Sequence, residues 1–284
     1  MKIQSFKYFN KRKTANIYTK MYAKNKDNPQ YPINYLRFKI INKILKKYKP
    51  QKIIDAGCGA GLPLIMLKKQ GFNITGYDKS AEMVKKAKEN LNQNNFSKDL
   101  ISYGDFENPK HLKDNSTECI IGMGTFYYSK NFFKTINAQK KKLKKNGRLI
   151  FSLRNKLFNV STFNNYTSEF YKEFFKINSF DNKIKSEFIK ITKKFKNKNK
   201  LKKNIDTKNV FSHVHNPLTI KNEILEKTGL IIENLYFYHY HALPPQFEKN
   251  NSKIFNKKSL EMENPDSWKG YLAASAFVVS CVKK

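Results

Sequence analysis

Acidic residues are scarce. The chain carries 22 aspartates and glutamates against 56 lysines and arginines, a formal net charge of +34. Two accounts fit that shortage: an anionic partner such as nucleic acid, a membrane surface or a phosphorylated substrate, or drift under AT-rich codon usage, which also enriches Lys, Asn, Ile, Phe and Tyr. Cysteine is scarce too. Cys58, Cys119 and Cys281 stand far apart and share no metal-ligand spacing, so they read as reduced, buried thiols of a cytoplasmic protein. The opening MKIQSFKYFNKRK lacks the apolar run of a signal peptide, and no stretch is apolar over the length a membrane span requires. A peripheral membrane contact stays open. No internal repeat is present. What is abundant is core-forming material: 14% of the 284 residues are aromatic, and that length suits one large domain, or one domain with a lid.

Residues 1–50 read as an N-terminal arm and helix. The arm is polar, basic and tyrosine-rich with a break at Asn28-Pro29, and the spacing of Leu36, Ile40, Ile44 and Leu45 predicts a helix from Ile33 to Tyr48, closed by Pro50. Strands and helices then alternate. KIIDAG, NITGYD, ISYGDF, ECIIGMG and GRLIFSLR are strands; Leu62–Lys69, a segment capped by Ser80, and Phe132–Leu143 are helices. The alternation stops over residues 156–216 and resumes with a helix at Thr219–Thr228, ended by Gly229, and the strands IIENLYFYHYH and AASAFVVSCV. That order predicts an α/β fold, a doubly wound, mostly parallel seven-stranded sheet, with residues 51–155 and 217–284 as its core. Within the insert, Phe163, Tyr166, Phe170, Phe174 and Ile177 fall at helical spacing, as do Ile184, Phe188, Ile191 and Phe195. Ten lysines lie between Lys183 and Lys203. The insert therefore reads as a basic and aromatic helical lid.

The first strand runs into IIDAGCGAGLPL. In a parallel sheet, ligands bind beyond the carboxyl ends of the strands, and glycine lets a backbone turn sharply and a ligand approach without a Cβ in the way. The dinucleotide pattern G-x-G-x-x-G fails at Leu62, and a P-loop fails for want of Gly-Lys-Ser/Thr. The pattern present is D-x-G-x-G-x-G.

Asp55-Ala56-Gly57-Cys58-Gly59-Ala60-Gly61 resembles motif I of class I S-adenosylmethionine-dependent methyltransferases. Asp78, followed by Lys79 in GYDKS, stands where that family places an acid on the ribose hydroxyls. Asp105 matches the acid that accepts from the adenine amino group, and Phe106 beside it could pack on the ring. The last two strands match the family's C-terminal antiparallel hairpin. The resemblance implies S-adenosylmethionine as cofactor and transfer of its methyl group by direct displacement, with the protein aligning the reactants and excluding water.

The acceptor is less legible. The Asp/Asn-Pro-Pro-Tyr/Phe motif of amino-methylating DNA enzymes is replaced by GMGTFYYS, and the carboxylate cluster of metal-dependent catechol methyltransferases is absent, so no metal is implied. Arg154 and Asn155 end the fifth strand, well placed to hold a carboxylate, phosphate or sugar hydroxyl; Tyr127 and His215 are further candidates for the substrate side. Strand alternation puts Phe237, His239 and His241 on one face, with His239 and His241 at the end where an acceptor should sit as candidate general bases. Packed aromatic roles are the plainer alternative for each histidine. Loose similarity to ubiquinone-related and polysaccharide-type enzymes suggests a small-molecule O-acceptor, a sugar or a polar lipid. An RNA methyltransferase, and a non-catalytic protein of this fold at a membrane surface, are the competing readings.

Overall fold

A computed structural model describes residues 5–20, 31–195, 210 and 212–284. The predicted break at Asn28-Pro29 and part of the lysine-rich run lie outside the described residues. Two short helices, α1 (Ser5–Phe9) and α2 (Arg12–Lys20), precede α3 (Ile33–Tyr48). The α3 stripe buries Phe38, Ile40, Ile41, Ile44 and Leu45, and also Arg37. The helix stops where Lys49 turns left-handed and returns its N–H to the Leu45 carbonyl, one residue before Pro50.

Seven strands form one sheet in the order β3-β2-β1-β4-β5-β7-β6. β1 (Ile53–Ala56) is buried at every position, as a central parallel strand covered on both faces must be. It pairs in parallel with β2 (Ile74–Asp78) and β4 (Thr117–Gly122), which continue to β3 (Ile101–Tyr103) and β5 (Leu143–Arg154). β6 (Leu230–Tyr240) and β7 (Ala274–Lys283) are antiparallel, with Phe237 opposite Phe277 and Ile150 of β5 opposite Ser280. The predicted doubly wound sheet with its antiparallel end is the one observed. β5 begins earlier than GRLIFSLR, because fully buried Leu143 already pairs with Thr117.

Helices cover both faces. α3, α4 (Leu62–Lys68) and α5 (Ala81–Gln93) pack one side through Ile41, Leu64 and Ala87; α6 (Phe132–Lys142) and α9 (Ile220–Thr228) pack the other through Ile136 and Ile224. The stretch after β5 holds α7 (Asn165–Phe174) and α8 (Asn182–Thr192), and α10 (Glu248–Glu261) and α11 (Gly270–Ala273) lie between β6 and β7.

One strand departs from simple alternation. His239 has φ +62, and Tyr240 donates its N–H to Glu263 Oε1 at 2.8 Å. The left-handed residue inverts the phase, so Tyr240 shares the α6 side of the sheet with Phe237, while Tyr238 faces α3.

Candidate active site

β1 and β4 are neighbours in the sheet but not in sequence, and the chain leaves them in opposite directions, which opens a crevice at their carboxyl ends. A cavity of about 280 Å³ lies there. Asp55, Gly57, Cys58 and Gly59 form its floor, Asp78 and Lys79 one side, Phe106 and Glu107 another, and Met123 to Thr125 with Tyr127 and Tyr128 the far wall.

The three motif glycines all have positive φ and do three different things. At Gly57 a Cβ would stand 2.3 Å from Thr125 Cγ2, so this glycine lets the loops after β1 and β4 touch. At Gly61 it would meet Ala87 Cβ at 3.1 Å, so this one seats α4 against α5. At Gly59 it would meet nothing within 4 Å, because the residue faces the cavity. The turn is held by the Asp78 carboxylate, which accepts from the N–H groups of Gly59 at 2.9 Å and Ser80 at 2.8 Å.

Asp55 is 1% exposed, and neither carboxylate oxygen has a hydrogen-bond partner among the described residues. Burial, reinforced by the Asp78 charge and only partly countered by Arg37, pushes its carboxyl up to about 7. Arg37 lines the same cavity, donates to Asn34 Oδ1 at 2.9 Å and packs so tightly on Gly124 that a Cβ there would meet its Nη1 at 2.4 Å.

Several expected site residues lie elsewhere. The Asp105 carboxylate is taken up by Lys79 Nζ at 2.6 Å and the Glu107 N–H at 2.9 Å, so its neighbours Phe106 and Glu107 reach the cavity in its place. Asn155 is a backbone clamp: its amide nitrogen donates to the carbonyls of Gly270, Tyr271 and Ala274, and its oxygen accepts from Leu157. Arg154 stands behind the wall, with its guanidinium 5.0 Å from the Tyr127 ring and Nη2 3.2 Å from the Tyr128 hydroxyl. His215 is buried against Phe132 with ring centroids 4.2 Å apart, and burial lowers it to about 3.

The structure brings neither His239 nor His241 to the cavity. His239 hydrogen-bonds Ser275, and its ring lies 5.2 Å from that of Tyr31. His241 packs between Phe158 and Phe255, where burial lowers it to about 4. β6 is the edge strand of the sheet, with β7 and β5 between it and β4, and the left-handed turn at His239 breaks the alternation on which the expectation stood.

Among the described residues of 156–216, none lines the cavity; Phe9 and Tyr18 of the N-terminal helices form part of its wall. Ala15 is fully buried with Ala60 and Met83, Ser80 Oγ donates to the Phe9 carbonyl, and Phe9 meets Tyr128 edge-on at 5.3 Å. Arg37 left a trace in sequence, since it falls in phase with the apolar stripe of α3; Phe9 and Tyr18 left none.

A family model described as a methyltransferase domain matches residues 47–271. The chain belongs to that family. It is a class I methyltransferase whose methyl donor is S-adenosylmethionine. No curated protein matches this methyltransferase in sequence. Similar solved structures include magnesium protoporphyrin IX methyltransferase from Synechocystis PCC 6803 with bound S-adenosylhomocysteine, at 13% identity and TM-score 0.56, covering 98% of each chain. Another is a methyltransferase from Thermotoga maritima, at 15% identity and TM-score 0.52, covering 96% of this chain and 97% of that one. Such identities speak to shared fold alone.

The methyltransferase's own residues fit the donor. The open space at Gly59, the unpartnered oxygens of Asp55 and the cavity-facing Asp78 and Phe106 offer a side-chain-free bend, two carboxylates and an apolar ring to a cationic nucleoside.

Proposed function

We propose that this methyltransferase acts on a small molecule and directs the methyl group to an oxygen, in an acceptor of the sugar or polar-lipid type. The observation that carries the small-acceptor reading is closure. Phe9 and Tyr18 stand over the donor cavity and Tyr127 and Tyr128 wall its far side, an aromatic enclosure that favours a compact acceptor.

When bound, S-adenosylmethionine supplies an electrophilic sulfonium methyl group. Asp78 is assigned to the ribose hydroxyls and Phe106 to the purine face. Asp55 and Arg37, two buried opposite charges in one cavity, suit the ammonium and carboxylate of the amino-acid end. Lys79 and Asp105 brace that wall through their ion pair. Tyr127, with Arg154 behind its ring, is assigned to orient the acceptor hydroxyl, and the aromatic cover of Phe9, Tyr18 and Tyr128 excludes water. No histidine lines the cavity, so deprotonation of the acceptor by His239 or His241 is not part of this reading.

The test is mass spectrometry of a metabolite extract incubated with the enzyme and isotopically labelled donor. Label on a polar small molecule supports the reading; label on RNA alone overturns it.

A further inference from the structure

We propose that α7, α8 and the connection between β6 and β7 form a face that docks on an anionic lipid bilayer. An amphipathic helix of a globular domain turns its apolar stripe inward. These two do the opposite. Among the described residues, α7 buries only Thr167 and α8 only Thr192. The apolar positions point out: Phe174 is 66% exposed and Ile191 67%, with Tyr166, Ile184 and Ile189 also exposed.

The second stretch extends the same surface. Gln246 donates to the carbonyls of Thr162 and Phe163, and Ser161 hydrogen-bonds the Leu272 carbonyl. Those bonds join the chain before α7 to the segment that exposes Phe247, Ile254, Leu272 and Trp268, the last at 70%. An apolar face of this breadth marks an interaction site.

Charge selects the partner. Residues 165–195 hold seven lysines against four acids, in a chain of net charge +34. Two copies of so basic a chain repel each other across a shared basic face. Single-stranded nucleic acid is held by stacking rings, whereas this face mixes Tyr166, Phe174, Phe247 and Trp268 with aliphatic Ile184, Ile189, Ile191 and Ile254, which give a base nothing to stack on. Aliphatic and aromatic side chains ringed by lysines suit the boundary between anionic headgroups and acyl chains. No described helix is long and apolar enough to cross a membrane, so the contact is interfacial. Topology adds a consequence. Both stretches connect strands at the carboxyl-end rim of the sheet, where the cavity also lies. Docking therefore holds the catalytic end near the bilayer.

The test needs no acceptor, so it stands or falls apart from the proposed reaction. Trp268 is the only tryptophan and reports directly. Its emission should shift to the blue with phosphatidylglycerol–phosphatidylcholine vesicles and stay put with phosphatidylcholine alone. The wild type should float with the anionic vesicles, and a Phe174→Asp/Ile191→Asp variant, matched to it in S-adenosylhomocysteine affinity, should float at least about fivefold less. No blue shift in the wild type, or undiminished flotation of the variant, overturns the proposal. So does light scattering that finds a wild-type dimer which the variant dissolves without any lipid binding.

Discussion

The Asp78 carboxylate reaches back across 19 residues to accept the Gly59 N–H at 2.9 Å, and its other oxygen accepts from Ser80. One side chain thus fixes the bend after β1, the end of β2 and the start of α5. Asp78→Asn presents an N–H to one of those donors and removes the charge-assisted bonds available to ribose hydroxyls. Affinity for S-adenosylhomocysteine, measured by calorimetry, should fall roughly 100-fold, the equivalent of about 3 kcal/mol.

The glycines separate stability from binding. Gly57→Ala forces a Cβ to 2.3 Å from Thr125 at φ +75, and should lower thermal stability by several kcal/mol, of order 2–4, through overpacking and backbone strain together. Gly59→Ala meets no atom and should cost only about 1 kcal/mol of left-handed strain, yet abolish cofactor binding by filling the approach. Thermal melts beside S-adenosylhomocysteine titrations distinguish the two. Equal melting losses with intact binding in both variants would contradict the division of roles.

Asp55 makes binding pH-dependent. With its carboxyl raised to about 7, the free enzyme is mostly neutral there below that pH, and a neutral acid cannot pair with an ammonium. Cofactor affinity should therefore improve roughly tenfold between about pH 6 and pH 8, as the competent fraction rises. Stability of the cofactor-free protein should run the other way. The folded state holds this proton from about pH 4, the unfolded carboxyl's range, up to about 7, so the contribution is complete below that window and is lost as pH rises through it. Asp55→Asn should flatten the affinity profile.

His241 gives the opposite slope. Its two ring nitrogens are buried without hydrogen-bond partners among the described residues, and burial holds the ring down to about 4, below the ordinary histidine range. The unfolded state therefore takes up the proton first, and stability is lost as pH falls from about 6.5 through 4. His241→Phe should stabilise the protein by about 1 kcal/mol at neutral pH, since an unsatisfied buried polar group is replaced by an apolar ring, and should flatten that acid limb. Turnover should stay within about twofold of the wild type. A loss of turnover at unchanged cofactor affinity would return His241 to the reaction.

These sites divide sharply by how local their signals are. Asp55, Gly57, Gly59, Gly61 and Asp78 were legible because a bend at a strand end imposes its residue types within a few positions. The strands were legible because buried β1 and β4 need unbroken apolar runs. The rest of the cavity was not, because it is built by long-range packing: Arg37 comes from a helix before the first strand, and Phe9 and Tyr18 come from an arm whose composition is merely polar and basic. At the phase inversion of His239 the Tyr240 N–H goes to Glu263, a partner that no reading of YFYHYH alone could supply. The insert over 156–216 shows apolar helical spacing, yet that spacing faces outward at Phe174 and Ile191, so periodicity established the helices and not what they cover.

The N-terminal helices set the last expectation. Ala15 is buried against Ala60 and Met83, Arg12 pairs with both Glu89 oxygens, and Phe9 and Tyr18 complete the cavity. None of these residues belongs to the sheet, so the α/β core should survive their removal. Deleting residues 1–20 should leave the far-ultraviolet spectrum nearly unchanged in shape. It should speed release of S-adenosylhomocysteine by roughly tenfold or more, because contacts that cover a ligand act mainly on dissociation, and it should abolish methyl transfer by admitting water and removing the aromatic cover. Stopped-flow displacement measures the release rate. An unchanged rate would mean that the donor leaves by another path and that α1 and α2 are not the lid of this enzyme.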